Sequence, residues 1–329
     1  MTSLRRLSAL LLTLAIPTVT WAQAGEPKAL WHGTIGEQYQ MLHQASTELA
    51  NNLENGCEDK ATLRQEWLAA NRAWQRVRYV DFGPIEQQSR AWQLQFWPDR
   101  KNLVAKKVSA WLKAPNPPTA EQIKADSVAL QGFPAMEYLL VEEDIASPQA
   151  CALFSAIAEH LTATTQALSD DWQAFEDHYL NTEGYTDTTV KSAMHGLEIL
   201  EEKRIAEPMG LRGKPRNGYL ADAWRSGESV ALIQASLAGL EQSFLPGAKA
   251  LLEREDEAEL AQELETELTK ARELAASLKP GLAPALENDE DYRQLQSLYL
   301  QVGKLRRLVN QDIASALEIK QGFNSSDGD

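Results

Sequence analysis

Apolar residues recur every three to four positions along most of this chain, which is the spacing that places them on one face of an α-helix. In the stretch 59–80, for example, Trp67, Trp74 and Arg78 fall on one helical stripe. The alternation of apolar and polar residues that is typical of a strand is nearly absent. The pattern predicts an all-α protein with helices at 34–52, 59–80, 119 into 131–140, 148–179, 187–206, 224–244, 248–278 and 289–319.

Local signals mark several helix ends. Residues 34–37 have the spacing of a capping box, in which a Thr and a Glu satisfy the first backbone N–H groups of a helix. Residues 119–122 carry a similar start signal, and Ser147 followed by Pro148 is typical of an N-cap with a first-turn proline. Residues 81–84 contain Gly and Pro and predict the end of the second helix.

The first 24 residues have the pattern of a secretion signal. Arg5 and Arg6 give a basic start, residues 7–19 are apolar, and small residues at 22–24 suit cleavage. No later apolar run reaches the roughly 20 residues needed to cross a bilayer. We therefore expect an exported protein that does not span the membrane, with a bacterial periplasm as the simplest compartment.

The length predicts two domains. A chain of about 300 residues after the signal can bury two ordinary cores. We place the boundary near residue 145, which gives an N-terminal helical bundle at 25–145 and a C-terminal helical bundle at 146–329.

The charge balance limits the partners. Without the two arginines of the signal, the chain has 30 basic and 47 acidic residues and a net charge of −17. This argues against nucleic acid and anionic lipid as partners and is compatible with cationic ligands.

Cys57 and Cys151 are the only cysteines. In an oxidising compartment we expect them to pair, although two separate thiols are the alternative. Two cysteines without a CxxC motif exclude a zinc site built on cysteines.

Glu137 is the only charged residue in the otherwise apolar segment 131–140. A buried carboxylate is costly unless it is paired, protonated or bound to a metal ion. Glu137 is therefore the best single indication of a functional site, and a structural salt bridge to an arginine is the alternative.

Several catalytic templates are missing. The sequence contains no HExxH and no ExxH, which excludes a standard zincin protease and a ferritin-like di-iron bundle. Ser229 lacks the second glycine of a nucleophile elbow. His195 and Glu198 form the single HxxE pair, which puts both side chains on one helix face but is a weak signal alone.

Several sequence segments, taken in chain order, resemble those of the imelysin-like family. The segment 132–137, GFPAME, resembles the GxHxxE motif of these proteins. Further matching pieces are 82–84 (FGP), 201–204 (EEKR) leading into 208–210 (PMG), 223–226 (AWRS) and 322–329 (GFNSSDGD). The resemblance implies an exported all-helical protein of two bundles that is linked to bacterial iron uptake and was historically labelled a peptidase family.

This chain departs from the motif at Pro134, which stands where the motif has its His. Proline offers neither a ligand atom nor a transferable proton, so any peptidase or metal role of that His is in doubt. Gly132 and Glu137 carry over. If the bundles arose by duplication, His195 to Glu198 would correspond to Pro134 to Glu137.

We therefore predict a site in the cleft between the bundles. Its metal ligands would be Glu137, His195 and Glu198, which suit iron or another divalent ion. Gly132, Glu137, Arg78, Trp224 and Arg225 are the predicted ligand-binding residues. The leading hypothesis is a non-catalytic periplasmic binding or accessory protein in iron acquisition that works with a metal ion or small ligand and with iron-uptake membrane proteins. The alternatives are a metallopeptidase with Glu137 as general base and a protein-docking module.

Overall fold

The computed structural model describes residues 26–53 and 56–319. In this part of the chain every regular element is helical and no strand occurs, which confirms the all-α class. The predicted signal at 1–24 and the closing piece at 322–329 lie outside the described residues.

The α-helices are listed here in chain order. They are α1 (Pro27–Asn52), α2 (Lys60–Val77), α3 (Arg90–Leu94), α4 (Leu103–Leu112), α5 (Ala120–Ala125), α6 (Phe133–Glu142), α7 (Pro148–Ala174), α8 (Glu176–Asn181), α9 (Tyr185–Glu198), α10 (Glu207–Met209), α11 (Ser229–Gly239), α12 (Leu245–Arg254), α13 (Ala258–Ser277), α14 (Leu282–Ala285), α15 (Asp289–Arg307) and α16 (Ala314–Ala316). Short 3-10 turns occupy Gly83–Ser89 and Gly218–Leu220. Stretches of π-helix at Ile199–Ala206, Leu240–Phe244 and Leu308–Ile313 join α9 to α10, α11 to α12 and α15 to α16.

Two of the predicted helix starts are confirmed by side-chain caps. Ser147 accepts a hydrogen bond from the backbone N–H of Ala150 at the start of α7. Thr119 and Gln122 form a complete capping box at the start of α5. These caps satisfy N–H groups that have no partner within the helix.

The predicted start of the first helix at Thr34 is wrong. Helix α1 begins seven residues earlier, at Pro27, whose fixed backbone suits a first turn. Thr34 lies inside the helix, where its hydroxyl donates to the carbonyl oxygen of Leu30 at 2.8 Å instead of capping an N-terminus.

Two later helix boundaries also differ from the prediction. The predicted helix 248–278 is interrupted between α12 and α13, where Asp256 has a φ of +62° that a continuous helix does not allow. The predicted helix 224–244 starts only at Ser229, because residues 221–227 form a turn that belongs to the candidate site.

The longest helices share one core. Helix α1 packs against both α2 and α7, and α2 also packs against α11. One hydrophobic cluster accordingly contains buried residues from both sides of the predicted boundary at 145 and 146, such as Trp67 and Trp172. The division into bundles at 25–145 and 146–329 stays a prediction.

Tryptophan side chains pack in this core. Trp172 stacks on His32 with ring centroids 5.2 Å apart and donates its indole N–H to the carbonyl oxygen of His32 at 3.0 Å. Trp67 donates to the carbonyl oxygen of Phe133, the first residue of α6, at 3.1 Å. The second bond fixes the start of the helix that carries Glu137.

The predicted disulfide is present and joins Cys57 to Cys151 across 94 residues of sequence. It links the segment before α2 to the first turn of α7. In the chain-entropy model a loop of this length stabilises the fold by about 4–5 kcal/mol.

Glu267 ties α13 to α15. Its carboxylate is buried and contacts Lys270 at 2.7 Å, Lys304 at 3.0 Å and the amide of Gln301 at 2.8 Å. Burial alone would raise the pKa of Glu267, but the hydrogen bonds from these three side chains outweigh it and lower the pKa to about 2.

We expect Glu267→Gln to lower the free energy of unfolding by about 1–3 kcal/mol at pH 7, because an ionised, well-paired carboxylate is lost. The folded pKa lies below the unfolded value, so this contribution is complete above pH ~4.5 and disappears as the pH falls towards 2. Urea unfolding at pH 7 and pH 3 measures the difference. Equal losses at the two pH values would contradict the assignment, and Glu263→Gln, an exposed position on the same helix, is the control.

Candidate ligand-binding site

Gly132 sets the direction of α6. It has a φ of +75°, and a Cβ at this position would lie 2.3 Å from the backbone oxygens of Gln93 and Leu94. Only glycine fits such a close backbone approach at positive φ. Pro134 follows in the first turn of α6, where its missing N–H leaves no helical bond unmade.

Glu137 lies on the next turn of α6 and is almost fully buried, with 4% of its surface exposed. Its Oε1 accepts two hydrogen bonds from Ser226, one from the backbone N–H at 2.8 Å and one from the hydroxyl at 2.7 Å. No described residue donates a hydrogen bond to Oε2. One side of the carboxyl group is thus fixed, and the other is available to a ligand.

Burial raises the pKa of Glu137 to about 7, because the charged form loses its hydration. The hydrogen bonds from Ser226 and the positive charge of Arg225 act in the opposite direction, and the negative charge of Asp222 adds to the increase. Both protonation states of Glu137 are therefore populated near neutral pH.

The Ser226 hydroxyl suits both states. It has one proton but lies near two acceptors, Glu137 Oε1 at 2.7 Å and the carbonyl oxygen of Ala223 at 3.1 Å. The hydroxyl donates to Glu137 when the carboxyl group is ionised. When Glu137 is protonated, the hydroxyl can accept from the acid and donate to Ala223.

Ser226 lies in a sharply folded turn. Ala223 has a φ of +48° and Gly227 a φ of +74°, so the chain bends twice within five residues. Arg64 on α2 donates to the carbonyl oxygen of Ser226 and lies 3.6 Å from the carboxylate of Glu228. These contacts aim the N–H of Ser226 at Glu137.

Glu137 faces a cavity of about 460 Å³, which we call the Glu137 cavity. Its lining combines aromatic side chains with polar and charged ones in similar numbers, and it includes Trp67, Phe96, Trp97, Glu137, Tyr138, Asp222, Trp224 and Arg225. A concave cavity of this size, in which polar groups converge beside aromatic side chains, is a candidate small-molecule site.

The predicted residues Trp224 and Arg225 both line this cavity. The guanidinium of Arg225 lies 4.4 Å from the ring centre of Trp224 and 5.3 Å from that of Tyr138, within range of cation–π attraction. Its Nε is 3.6 Å from Glu142, so its ion pair is with that acid and not with Glu137.

Arg78 does not contact Glu137 either. Its Nη1 lies 3.3 Å from Oδ2 of Asp222, and Arg204 approaches the same oxygen at 3.4 Å. Gln95 donates to the other oxygen of Asp222 at 2.7 Å. A salt bridge between Glu137 and an arginine was the predicted alternative to a functional site. Arg78 does form a salt bridge with a buried acid, but that acid is Asp222 and not Glu137.

The predicted metal ligands are not assembled into one group. His195 is exposed, and its Nδ1 lies 2.7 Å from Oδ2 of Asp81. That hydrogen bond raises the pKa of His195, with a smaller contribution from the charge of Glu198. His195 lines a different cavity from Glu137. In residues 26–53 and 56–319 no group of three or more His, Cys, Asp and Glu side chains could hold a metal ion.

The sequence did not single out Ser226, Asp222 or Arg204 as site residues. Ser226 and Arg204 lie within the motif pieces AWRS and EEKR, so a signal existed for both. Asp222 had none beyond being an isolated acid between two alanines.

Fold and cavity together define an all-helical protein with a buried acid that faces a cavity. The Imelysin family model matches residues 35–309, and the chain therefore belongs to the imelysin family. None of the curated proteins compared with the sequence matches it.

Two solved structures are similar to the chain. An imelysin-like protein from Psychrobacter arcticum 273-4 has 25% identity and a TM-score of 0.80, and the match covers 92% of this chain and 98% of that one. A putative iron-regulated protein A precursor from Parabacteroides distasonis ATCC 8503 has 13% identity and a TM-score of 0.67, with 88% and 96% covered. Within the described residues no helix is long and apolar enough to cross a membrane.

We expect Gly132→Ala to lower the free energy of unfolding by about 2–4 kcal/mol, because the new methyl group meets two backbone oxygens at positive φ. Chemical unfolding measures the change. Gly33→Ala is the matched control, since Gly33 is exposed within α1 with no atom near its added Cβ, and we expect it to stabilise by about 0.5–1 kcal/mol. A Gly132 variant as stable as the original chain would refute this role.

We expect Glu137→Gln to stabilise the protein more at pH 8 than at pH 5. The folded pKa of about 7 lies above the unfolded value, so the original chain loses stability as the pH rises from about 4.5 to 7 and the loss is complete above 7. The variant escapes this loss, which amounts to about 2–3 kcal/mol between pH 5 and pH 8. Urea unfolding at the two pH values tests it.

The control for this experiment is Glu142→Gln, on the same helix but 41% exposed. We expect it to change stability by less than about 1 kcal/mol at either pH. A stability difference between Glu137→Gln and the original chain that does not vary with pH would show that Glu137 titrates normally.

Proposed function

We propose that this protein is an exported, non-catalytic binding or accessory protein in iron acquisition and that its ligand occupies the Glu137 cavity. The single observation that carries the site is Glu137 itself, which faces a cavity of about 460 Å³. Its Oε1 accepts from Ser226, and its Oε2 has no hydrogen-bond donor among the residues that the structure describes. An unshared acceptor in a buried position favours a ligand that donates to it.

The iron connection is supported by membership of the imelysin family, whose resemblance to this sequence implies iron uptake. The name of the Parabacteroides distasonis neighbour, an iron-regulated protein A precursor, points the same way for that protein. A periplasmic location and contact with iron-uptake membrane proteins belong to the same proposal, and residues 1–24 supply its sequence support.

The donor set around Glu137 does not fit a metal ion bound by protein side chains alone. Pro134 occupies the motif position of a ligand, and Asp222 is engaged by two arginines and Gln95. His195 is bonded to Asp81. A divalent ion needs several carboxylate or imidazole ligands at about 2.0–2.6 Å, and Glu137 supplies one carboxylate.

A small organic ligand fits the cavity better. An ammonium, amide or hydroxyl group of the ligand would donate to Oε2 of Glu137, and a flat apolar part would pack against Trp224 and Tyr138. A metallopeptidase would require a metal-bound water beside Glu137, and the side chains around this acid do not form the ligand set that would hold one. No contact in the described residues favours the docking module over a ligand site.

We expect deletion of the gene to reduce uptake of radiolabelled iron by its native host under iron limitation. The original chain should restore uptake, whereas Glu137→Ala should not, because the cavity loses its buried acceptor. Complementation with Glu263→Ala, which removes an exposed acid of α13 outside the cavity, controls for expression and charge.

Two results would refute different parts of this proposal. Unchanged iron uptake after deletion would remove the role in iron acquisition. Full restoration by Glu137→Ala, with the protein present at normal abundance, would remove the Glu137 cavity from that role.

A further inference from the structure

A second cavity of about 460 Å³ borders the Glu137 cavity. The two share a wall formed by Gln95, Trp97, Pro98 and Arg100. We call the second space the basic cavity and define it by Arg78, Trp92, Trp97, Leu200, Lys203 and Arg204.

The basic cavity offers a broad apolar surface. Trp74 is buried behind it, Leu200 and Leu240 contribute aliphatic surface, and Trp92 is half-exposed at 50%. An exposed indole beside a cavity costs hydration free energy that a ligand can recover by covering the ring.

The charges behind the cavity do not balance. Arg78 and Arg204 both pair with Oδ2 of Asp222, at 3.3 and 3.4 Å, so one carboxylate serves two guanidinium groups. About one positive charge therefore remains on this side of the pair, in a position with little water to screen it.

Arg204 in particular has unused donors. Its side chain is 3% exposed, and Nη1 donates to the hydroxyl of Ser236 at 2.7 Å. Nε and Nη2 are buried without a hydrogen-bond acceptor, although Nη2 keeps its longer ionic contact with Asp222. Buried donors are normally satisfied, so an unsatisfied guanidinium beside a cavity points to a missing acceptor.

Lys203 adds a free charge at the rim. It is exposed and makes no ion pair or hydrogen bond with any described residue. The other charges of the lining are already paired, since His195 contacts Asp81 at 2.7 Å and Arg100 contacts Glu207 at 2.6 Å. The net positive charge of the cavity thus comes from Lys203 and the Arg78–Arg204 pair.

The backbone that presents these groups is irregular. Leu200, Lys203 and Arg204 belong to the π-helical stretch Ile199–Ala206, and Leu240 begins the π-helical stretch Leu240–Phe244. π-helix is less stable than α-helix and occurs often at functional sites. Two such stretches therefore meet at one cavity.

We propose that the basic cavity binds an organic anion, with the acidic head between Lys203 and Arg204 and an apolar, preferably aromatic, body against Trp92 and Trp97. The head supplies the hydrogen-bond acceptor that Arg204 lacks. Its negative charge also balances the second of the two arginines, because the single charge of Asp222 balances one of them. The body covers the exposed indole of Trp92. This site is separate from the Glu137 cavity and does not depend on the role proposed for it.

The test uses two dyes with the same aromatic body. 8-Anilinonaphthalene-1-sulfonate carries an anionic head, and N-phenyl-1-naphthylamine is its uncharged analogue. We expect the folded, mature protein to bind the sulfonate dye at one site and to bind the neutral dye more weakly, as measured by fluorescence titration.

Two variants test the contacts of the anionic head and of the aromatic body separately. Lys203→Met should weaken binding of the sulfonate dye about fivefold and leave the neutral dye unchanged, since one partly exposed ion pair is lost. Trp92→Ala should weaken both dyes. Lys113→Met removes another exposed lysine, which lies outside the cavity and has no ion pair with a described residue. It should change the binding of neither dye.

Lys203 and Trp92 are exposed, so we expect both variants to fold, and circular dichroism of each variant checks this. Failure of the sulfonate dye to bind would refute the proposal. If Lys203→Met bound the sulfonate dye as tightly as the original chain does, the anion site would be refuted. If Trp92→Ala bound both dyes as tightly as the original chain does, the aromatic contact would be refuted.

Discussion

The candidate site depends on how one buried carboxylate, that of Asp222, holds two arginines. Arg78 belongs to the end of α2 and Arg204 to the π-helix after α9, so Asp222 joins distant parts of the chain at one point. Removing a charge from water is costly unless an opposite charge and hydrogen bonds replace the hydration. Asp222 lies four residues before Ser226. The turn that holds Asp222 beside its two arginines therefore also places the backbone N–H and the hydroxyl of Ser226 against Glu137.

The same network makes the two neighbouring cavities chemically different. Asp222 lines the Glu137 cavity, whereas Arg78 and Arg204 line the basic cavity. Gln95 lies in the shared wall, where it accepts from the indole of Trp74 at 2.7 Å and donates to Asp222 at 2.7 Å. Asp222 thus faces one cavity and its two arginines face the other, and the wall between the cavities is itself hydrogen-bonded.

The all-α class and the central part of most helices could be predicted from the sequence, because both follow from local apolar periodicity and from helix caps. Ser147 and Thr119 cap helices as expected, and Trp67 and Trp74, which share one helical stripe, are both buried. The misplaced boundaries have a common cause, since backbone conformations such as the positive φ of Asp256 leave little trace in apolar periodicity. The π-helical stretch Ile199–Ala206 also keeps an apolar face, so the pattern predicts an ordinary α-helix there.

Within the site, Glu137 could be identified because a lone charge in an apolar segment is visible in one dimension. Its partner could not, because the pairing of Ser226 with Glu137 spans 89 residues and depends on a turn that the sequence pattern assigned to a helix. The same limit explains His195, whose spacing to Glu198 was correct for one helix face but whose hydrogen-bond partner, Asp81, comes from the segment after α2. Spacing along a helix fixes which side chains share a face, and only the packing of helices decides which charge that face meets.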